Sequence, residues 1–155
     1  MNKTNAMRLL DKAKIAYKVA EYAVDESDLS GTHIADSLGL SYSGVFKTLV
    51  AKGDKTGILV FCIPVDKTLD MKKIATISGN KKVEMIEMKQ LLPLTGYIRG
   101  GCSPIGMKKK YKTFIDESCL DKAEISVSAG VRGGQIILAP RDLIAYTEAE
   151  TASLT

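Results

Sequence analysis

Histidine occurs once in this sequence, and its three cysteines, Cys62, Cys102 and Cys119, show no C-x-x-C spacing. A zinc site takes about four such ligands at short intervals, so none is expected here. An odd cysteine count also excludes a closed disulfide framework and reads as free thiols in a reducing compartment. Neither G-x-G-x-x-G nor G-x-x-x-x-G-K-[ST] occurs, which leaves Rossmann dinucleotide binding and P-loop phosphate binding without support. The longest apolar run, Ile58 to Val65, has eight residues and contains Pro64, whereas a membrane-spanning helix needs about 20. The segment Met1-Asn2-Lys3-Thr4-Asn5 has no apolar stretch of the kind a secretory signal carries.

What remains is an ordinary globular composition: 155 residues, 45% hydrophobic and 26% charged. A chain of this length removes roughly 70% of its unfolded surface from water, enough for a core without metal or disulfide support. Lysine plus arginine exceed aspartate plus glutamate by 22 to 18, a net +4. That balance permits phosphate-bearing partners without demanding them. The block Lys108, Lys109, Lys110 and Lys112, like the pairs Lys72-Lys73 and Lys81-Lys82, reads first as a solvated face.

Local patterns predict many short elements. Ala6, Leu9, Leu10 and Ala13 recur at helical spacing behind Thr4 and Asn5, giving a first helix over Thr4 to Lys14, and Tyr17 to Val24 alternates like a strand. Thr32 is placed to cap a helix through Leu38 that stops at Gly39. Phe46 to Ala51 and Gly57 to Pro64 flank the polar turn Gly53-Asp54-Lys55-Thr56, and their continuous hydrophobicity predicts a hairpin covered on both faces. Asp70 opens a helix to Gly79, Lys82 to Ile86 reads as a strand, and Glu87 to Leu92 forms a helix ending near Pro93 and Gly96. Thr113 to Asp116, Glu124 to Ser128 and Gln135 to Leu138 read as strands, Pro140 starts a last helix, and Thr147 to Thr155 reads as a frayed tail.

Strands and helices mixed without βαβ alternation predict an α+β domain: a mixed, mostly antiparallel sheet or small barrel flanked by helices. No linker or repeat divides it, so residues 1–147 are expected as one domain and 148–155 as a polar tail.

The segment Gly96-Tyr97-Ile98-Arg99-Gly100-Gly101-Cys102-Ser103-Pro104-Ile105-Gly106 is rich in glycine. Paired glycines let main-chain N–H groups approach a ligand oxygen, though a bulge or tight turn explains them equally. Lys47 interrupts the apolar strand Val45 to Val50, where it reaches solvent or lines a pocket. Near a low-dielectric cleft such an ammonium can polarise a carbonyl. Cys102 beside Ser103 suggests a nucleophile, but His33 is the one available base and falls in a helical segment, which argues against a Cys-His hydrolase. Ser126 to Gly134 is a second glycine-rich turn, and Asp142 sits in the first turn behind Pro140, where a carboxylate suits the helix dipole.

Together, Asn5-Ala6-Met7-Arg8-Leu9-Leu10, Val45-Phe46-Lys47-Thr48-Leu49, Lys81 to Met85, Gly96-Tyr97, Gly100 to Gly106, Ser128-Ala129-Gly130 and Arg132-Gly133 resemble, in order, the YbaK family. Its members are free-standing relatives of the editing domain of bacterial prolyl-tRNA synthetases. Val131 and Gly134 depart from the family pattern, which favours a basic and a larger apolar residue there.

The resemblance implies a cytoplasmic deacylase with no cofactor, acting in trans on the 3′ end of Cys-tRNA(Pro) and releasing cysteine as a cyclic thiolactone through attack by the substrate's own thiol. Carried over residue by residue, it implies Lys47, Gly100 and Gly101 as catalytic positions and Tyr22, Thr48, Ser103, Ser128 and Asp142 as substrate-binding ones. Prolyl-tRNA synthetase is implied as a partner, and no membrane is. The alternatives are a deacylase for another small residue, such as Ala-tRNA(Pro), or a non-catalytic module that binds tRNA ends or a synthetase.

Overall fold

The computed structural model describes residues 1–155. The first helix, α1 (Asn5–Lys12), is capped by the Thr4 hydroxyl, which accepts from Met7 N, and buries Ala6, Met7 and Leu10. Strand β1 (Lys18–Glu21) leads to α2 (Gly31–Leu38). The α2 cap is Ser30, not Thr32, because the Ser30 hydroxyl reaches His33 N at 3.3 Å. Starting the helix there presses Gly31 against Val65: a Cβ at Gly31 would lie 2.3 Å from Val65 Cγ1. Gly39 ends α2 in the left-handed region, as the sequence predicts.

The hairpin forms as expected. Strand β2 (Phe46–Gly53) pairs antiparallel with β3 (Gly57–Pro64) from Phe46↔Pro64 to Gly53↔Gly57. Its tip is tied down by Asn80, whose side-chain oxygen accepts from Lys55 N at 2.8 Å and Thr56 N at 3.0 Å. Asp70 caps α3 (Met71–Ser78) and Gly79 closes it. Strand β4 (Val83–Met85) pairs with the far end of β2, and α4 (Met88–Thr95) follows. Helix α4 runs past Pro93 to Thr95: the Thr95 hydroxyl donates to Leu91 O at 2.7 Å and Gly96 N to Leu92 O at 2.9 Å, so the last turn closes without the proline N–H.

Strand β5 (Lys112–Asp116) joins β3 in parallel; β6 (Ile125–Ser128) and β7 (Gly134–Leu138) form an antiparallel pair, and Pro140 opens α5 (Pro140–Thr147). The segment from Thr147 to Thr155, expected to be a frayed tail, is instead part of the fold. Glu150–Ala152 forms β8, parallel to β5, and Leu154 is fully buried with its N–H donating to Asp116 Oδ1 at 2.9 Å.

The strands make two sheets, β1-β7-β6 and β4-β2-β3-β5-β8, linked by a bridge between Val45 and Ser126. This is the expected single-domain α+β fold. Strand β3 is indeed covered on both faces. Cys62 joins Phe46, Ile125, Val127, Ile136 and Leu10 in one cluster, while Leu59, Phe61 and Ile63 meet Ile74, Phe114 and Leu154 in the other. No helix is long and apolar enough to cross a membrane. The lysine block is solvated and partly neutralised: Lys110 pairs with Glu148, and Lys112 with Glu150 at 2.7 Å.

Candidate active site

Where the two sheets meet, a cavity of about 340 Å³ opens between β2 and β7, within the usual range of ligand pockets, about 300–1,000 Å³. Phe46 to Val50 of β2 form its floor, and Ser128 and Gln135 one wall. Met85, Ile86, Met88 and Leu91 form the opposite wall, and Ser30, Gly31, Arg99, Gly100 and Cys102 border it. The linked sheets thus bring residues far apart in sequence to one hollow.

Lys47 lines the cavity and is half-buried. Loss of water holds its ammonium below the ordinary lysine pKa, and the Asp66 carboxylate partly opposes that shift. Gly100 borders the same hollow at φ +85°, a conformation natural to glycine, and its N–H makes no hydrogen bond within the protein. Thr48 lines the floor, its hydroxyl 3.8 Å from the Cys62 sulfur. Ser128 lines the wall while its hydroxyl accepts from Gly130 N at 3.1 Å.

Four other expected positions do not line the cavity. The Gly101 N–H is engaged by Ile98 O at 3.0 Å, so it is not a donor toward a ligand. Gly101 has a packing reason instead, since a Cβ there would stand 3.0 Å from the backbone of Val131 and Arg132. Ser103 is fully buried, its hydroxyl accepting from Ile105 N at 3.2 Å in a tight turn. Tyr22 lies beyond the end of β1, bonded through its N–H to Gly133 O at 3.0 Å. Asp142 sits in the first turn of α5, and the core cluster containing Leu143 places that helix on the α1 side of the sheets.

The polar residue missing from the sequence reading is Gln135. It is 3% exposed, lines the cavity, and its side-chain oxygen accepts from the Ser126 hydroxyl at 2.7 Å. That bond orients the amide and leaves its NH₂ without a protein partner. The one signal in the sequence was a lone amide heading the apolar run Ile136-Ile137-Leu138.

Cys102 lines the cavity, but burial pushes its thiol up to about 12, so it stays protonated at neutral pH. His33 does not line the cavity; its Nδ1 lies 3.8 Å from Asp28. The hollow therefore holds donors and one ammonium without a paired nucleophile and base. No three His, Cys, Asp or Glu side chains gather in a metal-binding group.

Residues 31–146 match the family model described as the aminoacyl-tRNA editing domain. A protein of Enterococcus faecalis, named as a proposed Cys-tRNA(Pro)/Cys-tRNA(Cys) deacylase, EbsC, is 50% identical over 153 residues, covering 99% of this chain and 93% of that protein. A proline–tRNA ligase of Brachyspira hyodysenteriae is 24% identical over 127 residues, covering 76% of this chain and 22% of the ligase. Among solved structures, a proposed trans-editing enzyme for prolyl-tRNA synthetase superposes with a TM-score of 0.85 at 24% identity, covering 100% of this chain and 99% of that one. Matched by that family model over most of its length and half identical to the Enterococcus protein, the chain belongs to the aminoacyl-tRNA editing domain family.

Proposed function

We propose that this aminoacyl-tRNA deacylase works in trans in the cytoplasm, clearing cysteine from mischarged Cys-tRNA(Pro), with the substrate's own thiol as nucleophile. What supports the reading is a cavity that joins Lys47 to Gly100 and Gln135 yet contains no activated side chain able to attack. The substrate thiol gives up its proton and its sulfur attacks the ester carbonyl. The tetrahedral oxyanion collapses, the bond to the ribose oxygen breaks, and that oxygen takes a proton. The products are a cyclic thiolactone and uncharged tRNA.

The protein's part is positioning and charge. Folding the cysteinyl group back on itself substitutes effective molarity for a protein nucleophile. The free Gly100 N–H and the Gln135 NH₂ are the donors for the oxyanion, the second replacing the engaged Gly101 N–H. The Lys47 ammonium fixes the carbonyl or the terminal ribose, and Thr48 and Ser128 border the side-chain pocket. Prolyl-tRNA synthetase supplies tRNA selectivity, consistent with a net charge of only +4 on this chain. The name of the Enterococcus relative also covers Cys-tRNA(Cys), and an assay on both cysteinyl-tRNAs beside Ala-tRNA(Pro) tests the specificity. The expected outcome is rapid loss of cysteine, with alanine retained. Lys47→Ala is expected to abolish deacylation with the fold intact, and a Lys47→Ala enzyme of unaltered rate would refute the role of that residue.

A further inference from the structure

One wall of the cavity is not used by the ester chemistry. Met85, Ile86, Met88 and Leu91 form it, and Met85 and Met88 are 45% and 59% exposed. A compact polar cysteinyl group gains no hydrogen bond from thioethers and aliphatic carbons. The ester oxygen, however, belongs to a ribose, so the surface beside the reacting carbon must also meet the nucleoside.

We propose that Met85, Met88 and Leu91 form a shelf for the terminal adenine of the tRNA, with Arg99 facing the phosphodiester that leads into it. The inference rests on the deacylase reading above and names the nucleoside side of the same site. Thioether sulfur is polarisable and packs well on aromatic faces. Single-stranded ends are usually held by aromatic stacking, but the one aromatic residue lining this cavity, Phe46, is 2% exposed and packed in the core. The methionines are the surface left for a purine. Arg99 is exposed, lines the same cavity and forms no salt bridge, so its guanidinium is free for phosphate. The shelf is also held in place: Glu87 N donates to Gln90 Oε1 at 3.0 Å in a capping box at the start of α4. Met85 and Met88 line the same cavity as Lys47 and Gly100, so what rests on them is continuous with the bound ester, which favours the nucleoside as occupant.

The test is NMR of the full chain with ¹³C-labelled methionine methyls, using the cysteinyl amide of 3′-amino-3′-deoxyadenosine at a concentration that fully inhibits deacylation. The expected result is a ring-current shift of the Met85 and Met88 methyls, with Met7, Met71 and Met107 unmoved. In parallel, Met85→Ser combined with Met88→Ser is expected to raise KM for the charged tRNA on the order of tenfold, with kcat held. Unmoved Met85 and Met88 methyls under full inhibition, or a probe that neither binds nor inhibits, would overturn the shelf. An enzyme that shows the methyl shifts but does not deacylate Cys-tRNA(Pro) would instead count against the assigned substrate, so the two failures are distinct.

Discussion

The ammonium of Lys47 is placed where hydration is incomplete, and the resulting fall in its pKa below the ordinary 10.5 has a direct kinetic consequence. If the charged form holds the ester, kcat/KM must fall as pH rises through that depressed pKa, earlier than for a free lysine. The rising limb at lower pH belongs to ionisation of the substrate thiol. Asp66 counteracts the depression, so Asp66→Asn is expected to move the falling limb to lower pH, as read from a pH–rate profile. Gln135 makes a second prediction at this scale. Gln135→Glu keeps an acceptor for Ser126 but puts a carboxylate where the oxyanion needs a donor. The expected loss in kcat is on the order of 10²-fold or more, with partial recovery at low pH where the new carboxyl regains a proton. A Gln135→Glu enzyme whose rate and pH profile match those of the unaltered protein would remove Gln135 from the oxyanion site. Residues of this kind were only partly legible beforehand. Lys47 stood out because a charge in an apolar strand is conspicuous, whereas Gln135 became informative only once β6 and β7 were seen to face β2.

Among the elements, those defined by local chemistry were read most accurately from sequence. Gly39 and Gly79 end α2 and α3, and the Gly53 to Thr56 turn makes its hairpin, because caps and tight turns are written within a few residues. The two neighbouring glycines, Gly100 and Gly101, serve different structural ends. Gly100 adopts a positive φ and borders the cavity, while Gly101 allows its loop to lie directly against the 131–132 backbone. Gly101→Ala is therefore expected to destabilise the protein by about 1–3 kcal/mol through overpacking, seen as a lowered Tm in calorimetry. Unchanged stability would show that the two loops separate easily. At Gly134 a Cβ would come 2.8 Å from the methyl of the exposed Met1 side chain, a contact that side chain can relieve by moving, unlike the backbone contact at Gly101.

At the scale of the whole molecule, the segment read as a tail is a strand at the edge of the larger sheet. Its polar sequence, Thr147 to Thr155, gave no periodic signal, and its partners are distant in the chain: β5 through parallel pairing, Asp116 through Leu154 N, and Lys73 through the Thr155 carbonyl at 2.8 Å. Leu154 closes the cluster of Phe61, Phe114 and Ile74. Leu154→Ala is expected to cost about 2–5 kcal/mol, measured by urea unfolding, and a loss below that range would mean the segment is only loosely attached. The fold matters to function in the same non-local way, since the cavity exists only where the two sheets are bridged. The most direct measurement compares Cys-tRNA(Pro) with its S-methyl counterpart, with the released product identified by mass. Self-attack by the thiol predicts a thiolactone from the first and negligible turnover of the second; equal turnover of both, with open-chain amino acid as the product, would contradict it.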